Sequence, residues 1–143
     1  IIDCLTDNAS RTFNDVRLCF TKTKTKIGTQ GSVSHMFDHL TILRFSGQDE
    51  EEVLDALLMA DVDVVDIENE EGMLTVFAPH TESFKAKQTL AESFGDIDYD
   101  VDEIQFIAQN TTSLLGEDID VFATFMDMLE DLDDVQNVYH NVA

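Results

Sequence analysis

Asp131-Leu132-Asp133-Asp134-Val135-Gln136-Asn137-Val138-Tyr139-His140-Asn141 closes the chain, and its reading decides the fold. Asp133-Asp134 ends a helix expected over Glu117–Leu132, whose core face offers Ile119, Val121, Phe122, Phe125, Met126 and Leu129. Val135–Val142 then reads as a last strand. A helix followed by a strand at the very end needs a partner sheet, and the first elements supply one. Ile1–Thr6 reads as a short buried strand, Ser10 as an N-cap, and Arg11 to about Thr21 as a helix with Phe13, Val16 and Phe20 on one face. Gly28 and Gly31 bracket a turn, and Ser32–Phe37 and Leu40–Phe45 read as strands.

The middle of the chain repeats the pattern. A helix opening at Gln48–Glu52 carries Val53, Leu54, Leu57 and Leu58 as its apolar stripe. Strands Val62–Glu68 and Met73–Ala78 flank Asn69-Glu70-Glu71-Gly72, whose glycine suits a short hairpin loop. A helix over Glu82–Phe94, with Phe84 and Ala91 on successive turns, ends at Gly95, and Tyr99–Ile107 is the next strand. The expectation is an α+β chain of two lobes. Residues 1–47 with 112–143 would complete a ferredoxin-like βαββαβ unit, and 48–111 would form a smaller inserted α+β lobe.

Composition bounds the function. With 143 residues, 43% hydrophobic content and one proline, the chain is long enough for a real core despite its net charge of -22. No stretch approaches a membrane helix, so a soluble cytoplasmic protein without membrane contact is expected. Ile1 is not an initiator methionine and already looks like strand interior, which points to an N-terminal portion lost from the chain. Cys4 and Cys19 have neither CxxC spacing nor a neighbouring histidine pair, and free thiols in a reducing compartment fit them better than zinc.

Charge is unevenly spread. Residues 1–47 hold six of the eight basic residues against four acids, and residues 48–143 hold two against twenty-six. So negative a region repels phosphate, and these 143 residues alone should bind nucleic acid poorly. Arg11, Arg17, Lys22, Lys24, Lys26 and Arg44 form the one electrostatically plausible nucleic-acid surface, with a solvated edge as the plainer reading. Gly28-Thr29-Gln30-Gly31-Ser32 superficially resembles a phosphate cradle. It lacks the lysine of a GxxxxGK[ST] loop and precedes a strand, so a tight turn requiring glycine is the better physical account.

The acidic runs at 61–63 and 96–102 alternate with apolar residues, as a solvated strand face does, and the run at 130–134 ends a helix. No metal or cofactor is expected. His35, His39, His80 and His140 lack a nucleophile motif or HExxH spacing, so no catalytic residue is assigned. His140 is the best of the four for a partner contact. A metal-dependent enzyme is only a remote alternative.

The closing run, read with Gly28-Thr29-Gln30-Gly31-Ser32-Val33-Ser34-His35-Met36-Phe37-Asp38, resembles the YebC/PmpR family of gene-expression regulators. Leu5-Thr6-Asp7-Asn8 with Arg11-Thr12 and the block Asp127–Asp134 extend the resemblance along the chain. Two departures stand out: Lys24-Thr25-Lys26-Ile27-Gly28 replaces a glycine pair and Asn-Leu-Gly, and His39-Leu40 replaces basic residues. The resemblance implies a non-enzymatic regulator with an interrupted ferredoxin-like domain, and a separate N-terminal helical domain carrying much of the positive charge. It implies DNA as the target in a transcriptional regulator, or ribosomal RNA and ribosomal proteins in a translational activator. The signature segment makes Gly28, Gly31 and Ser32 candidates for a contact.

Overall fold

The computed structural model describes residues 1–143. The fold is α+β, with its elements in the order β1 (Ile2–Cys4), α1 (Ala9–Lys22), β2 (Phe37–Phe45), α2 (Glu50–Met59), β3 (Asp66–Glu70), β4 (Met73–Pro79), α3 (Ser83–Phe94), β5 (Val101–Ala108), α4 (Glu117–Glu130) and β6 (Val135–Val138). They divide into two compact units, Ile1–Phe37 with Ala108–Ala143, and Asp38–Ile107. No helix is long and apolar enough to cross a membrane.

The unit over 38–107 is a four-stranded sheet in the order β3-β4-β2-β5, with α2 linking β2 to β3 and α3 linking β4 to β5. Its strands form because β-branched and aromatic residues alternate faces: Leu74, Val76 and Ala78 of β4 are buried, and Met73, Thr75 and Phe77 between them are half-buried. β4 runs antiparallel to β2 (Leu43 opposite Val76) and to β3. The hairpin turns through Glu71 and Gly72, both at positive φ (+53° and +87°), as a two-residue loop matched to strand twist requires. The Asp49 carboxylate caps α2 by accepting from the Glu52 amide at 3.2 Å, and Glu50, Glu51 and Glu52 favour the positive end of its dipole. The core is Leu43, Phe45, Val53, Leu57, Val62, Leu74, Val76, Ala86 and Leu90.

The flanking unit has the smaller buried core. β1 pairs antiparallel with β6 (Ile2 opposite Val138), and Val16, Cys19 and Leu129 bring α1 and α4 together. Phe20 and Phe125 meet edge to face with centroids 4.8 Å apart.

Several expectations change here. Residues 32–36 are not a strand: they run through turns and a short 3-10 turn at Ser34–Met36, with the Ser34 hydroxyl bonded to the Gly31 carbonyl at 2.9 Å, and the strand begins only at Phe37. The strand expected over Leu40–Phe45 runs in the sheet of the middle unit, so the chain crosses between units near 37/38 and 107/108 rather than at 47/48 and 111/112. The β-α-β-β-α-β order thus runs from β2 through β5, joining a strand read with the first lobe to the segment read as an insert. The physical reason is burial, since Leu43 and Phe45 pack into the core that holds Val53, Leu57 and Leu90. Strand β3 begins only at Asp66, because 61–65 is a non-strand link in which Val62 alone is buried. Phe13, read on the apolar face of its helix, is 51% exposed, and α1 turns Thr12, Val16 and Cys19 inward instead; Phe84 of α3 is 77% exposed. Ile119 and Val121 of α4 also face outward.

Candidate nucleic-acid interface

The sequence-defined basic set is separated by the fold. Arg11 follows the N-cap Asn8, whose side-chain oxygen accepts from the Arg11 amide at 3.1 Å. Its guanidinium reaches Asp7 at 3.2 Å and Asp134 at 3.0 Å. The same Asp134 oxygen accepts from the buried Thr12 hydroxyl at 2.6 Å and the Thr6 hydroxyl at 3.1 Å. Hydrogen bonds from Thr12, then Arg11, with Thr6 adding to them, hold the Asp134 carboxyl below the usual carboxylate range. A groove of about 370 Å³ beside this network is lined by Asp15, Asp131 and Asp133 as well. Phosphate is repelled there, so Arg11 belongs to a polar lock that ties the start of α1 to the start of β6.

That lock gives a pH prediction. The lowered carboxyl favours the folded state above the unfolded pKa of about 3.9, and this contribution disappears as pH falls through the folded value. Asp134→Asn is therefore expected to lower the melting temperature at pH 7, with the gap to the native chain closing below about pH 4. Thermal melts between pH 7 and 3 would decide it; a gap of constant size would remove the carboxylate from the account.

The remaining basic residues of the flanking unit gather at the other end of α1. Arg17, Lys22, Lys24 and Lys26 are exposed, form no ion pair, and share residues 16–37 with no acidic side chain. Lys22 lies in the last turn, where its charge suits the helix C-terminus. The helix stops in a paired cap: the Lys24 amide bonds to Thr21 O at 3.1 Å and the Thr25 amide to Phe20 O at 2.9 Å, with Lys24 at φ +58°. Glycine is the usual residue in that left-handed position, and the departure from the resembling sequences falls on it.

The signature loop follows. A Cβ on Gly28 would lie 2.7 Å from Ser32 Oγ, and Gly31 has φ +79°. Gly31 is favoured by its left-handed backbone whether or not a partner is present, whereas a side chain at Gly28 would only have to displace the Ser32 hydroxyl. Arg44 stands apart in β2 of the middle unit, where its Nε is buried without a hydrogen-bond partner. His140 is exposed at the end of β6, its Nδ1 accepting from the Val142 amide at 3.1 Å and its ring edge-on to Phe122 at 4.9 Å. It packs and terminates a strand.

Sequence reasoning missed the Thr6–Thr12–Asp134 network. The only available signal was that these polar residues fall inside separated blocks shared with one family. It also missed a stack in the middle unit, where the His39 ring lies 3.8 Å from His80 and 4.0 Å from Phe106. Burial, then the neighbouring His80, pushes the His39 pKa down. Free thiols are present at half-buried Cys4 and buried Cys19.

These features define an acidic two-unit α+β protein with one small basic edge. The family described as TACO1/YebC second and third domain matches residues 1–142, and the chain belongs to it. A protein of Alcanivorax borkumensis named a probable transcriptional regulatory protein is 66% identical over 142 residues, covering 99% of this chain and 59% of its own length. One of Marinomonas with the same description is 64% identical over 141 residues, covering 99% and 59%. The chain thus spans about three fifths of these relatives. The crystal structure of a conserved hypothetical protein, Aq1575 from Aquifex aeolicus, superposes with a TM-score of 0.68 at 25% identity, over 98% of this chain and 57% of that one.

Proposed function

We propose that this chain belongs to a non-enzymatic transcriptional regulator whose nucleic-acid binding lies mainly in the part of its relatives that these 143 residues do not match. Arg17, Lys22, Lys24 and Lys26 add an accessory phosphate contact. The observation that carries this reading is charge segregation. Residues 38–107 hold three basic residues against nineteen acidic ones, a net of -16, and repel a phosphate backbone. Four free cations on the flanking unit can neutralise no more than about four phosphates, which gives a salt slope of about -3.6 on duplex DNA. The expected result is an affinity weaker than micromolar at physiological salt. Changing Lys22, Lys24 and Lys26 together to alanine is expected to flatten the slope to about -1. Fluorescence anisotropy of labelled duplexes across a salt series checks both values; sub-micromolar binding by these residues alone overturns the assignment.

A second reading, a translation factor associated with ribosomal particles, is favoured by the same negative unit, because basic ribosomal proteins complement it and phosphate does not. Sedimentation of the full-length protein with cell lysate separates the two. Migration with ribosomal particles supports the second reading, and sequence-selective retention on promoter DNA supports the first.

A further inference from the structure

We infer that the groove between α2 and α3 of the middle unit is a docking site for a basic amphipathic protein segment. The groove encloses about 540 Å³, with Ala56, Met59 and Phe94 among its apolar lining and Glu52, Asp55 and Glu92 among its acidic residues. Glu52, Asp55, Ala56 and Met59 follow the i, i+3, i+4, i+7 spacing, so one face of α2 presents both the acids and the apolar residues. Met59 is 90% exposed at the end of that face. An unbranched thioether in that position adapts to a varied apolar side chain laid against it.

Charge complementarity identifies the occupant. None of Glu52, Asp55 and Glu92 forms an ion pair. The lysines of α3 are committed elsewhere: Lys85 Nζ donates to the Asp61 carbonyl at 2.7 Å, and Lys87 pairs with Asp102 at 3.1 Å. These 143 residues therefore place no ion-paired cation in this groove. Nor do its carboxylates converge on a point where a metal ion could sit. Acids spaced along a groove with apolar residues between them match a segment that carries lysine or arginine beside its apolar anchors, seated as a helix in a groove. A second copy of this chain, at net charge -22, is repelled. The site is in the other unit from the basic edge and does not rest on the nucleic-acid reading.

The test uses the 143-residue chain and a fluorescein-labelled Leu/Lys peptide with leucines at i, i+3, i+4 and i+7, against a peptide of equal charge with serine at those positions. Anisotropy at physiological salt is expected to show the leucine peptide binding at least about tenfold tighter, since only it buries apolar surface. Met59→Asp, a change at an exposed position, is expected to erase that advantage, and Glu52→Lys with Asp55→Lys to weaken binding at least about tenfold, with melting temperatures unchanged. Amide shifts confined to α2 and the second half of α3 would support the site. Equal binding of both peptides, retention of the advantage in Met59→Asp, or shifts spread over the acidic surface would overturn it. So would a dimer of the chain that Met59→Asp converts to monomer.

Discussion

Ending the chain after Asp134 is expected to unfold the unit formed by residues 1–37 and 108–143. The truncation removes β6, the sole partner of β1, and with it the pairs Ile2 with Val138 and Cys4 with Val135. It also removes the Tyr139 amide bond to Ile1 O at 2.8 Å. Beyond β6, Thr112 loses its bonds to Asn141 and Ala143, both 2.7 Å. Val135 and Val138 pack against a core of only three buried side chains, Val16, Cys19 and Leu129. Losing two half-buried valines costs about 1–2 kcal/mol, and the backbone pairs about 1 kcal/mol each, which together approach the whole stability of a small unit. An amide correlation spectrum should show residues 1–37 and 108–134 collapsing to random-coil shifts, with dispersion kept across 38–107. A truncated chain that melts at the native temperature would contradict the β1–β6 pairing.

Phe45→Ala is expected to have the converse effect. Phe45 is fully buried at the end of β2, and its ring meets Tyr99 edge-on with centroids 5.7 Å apart. Removing a ring from such a site costs about 3–5 kcal/mol, from lost transfer free energy and from the cavity left behind. The loss falls on the middle unit, because Phe45 shares its cluster with Leu43, Leu57 and Leu90 and not with Val16 or Leu129. The chain's two tyrosines make this readable: Tyr99 lies in the middle unit and Tyr139 in the flanking one. With 3-fluorotyrosine incorporated, the Tyr99 fluorine signal should move to its unfolded position at a temperature well below that of the native chain, with Tyr139 little changed. Simultaneous loss of both signals at the native temperature would refute the assignment of Phe45 to that core.

By itself the sequence determined what local chemistry controls. Apolar residues at Val53 and Leu57 placed α2, alternation through Leu74 and Val76 placed β4, and Gly72 marked the hairpin, because each depends on neighbours a few residues away. Its charge pattern singled out the candidate stretch for a phosphate contact, and its closing segment with the 28–38 loop pointed to the family. Tertiary structure alone decided which strands share a sheet and which polar groups are spent on folding. The 32–36 segment alternates like a strand yet is turned, with the Ser34 hydroxyl bonded to the Gly31 carbonyl and Gly31 at positive φ. Phe13 has the pattern of a core residue, but the carboxylate that draws Thr12 inward is Asp134, 122 positions further along the chain. Hydrogen-bond partners and packed faces separated by such distances leave no periodic trace in either local sequence, and only the folded chain brings them together.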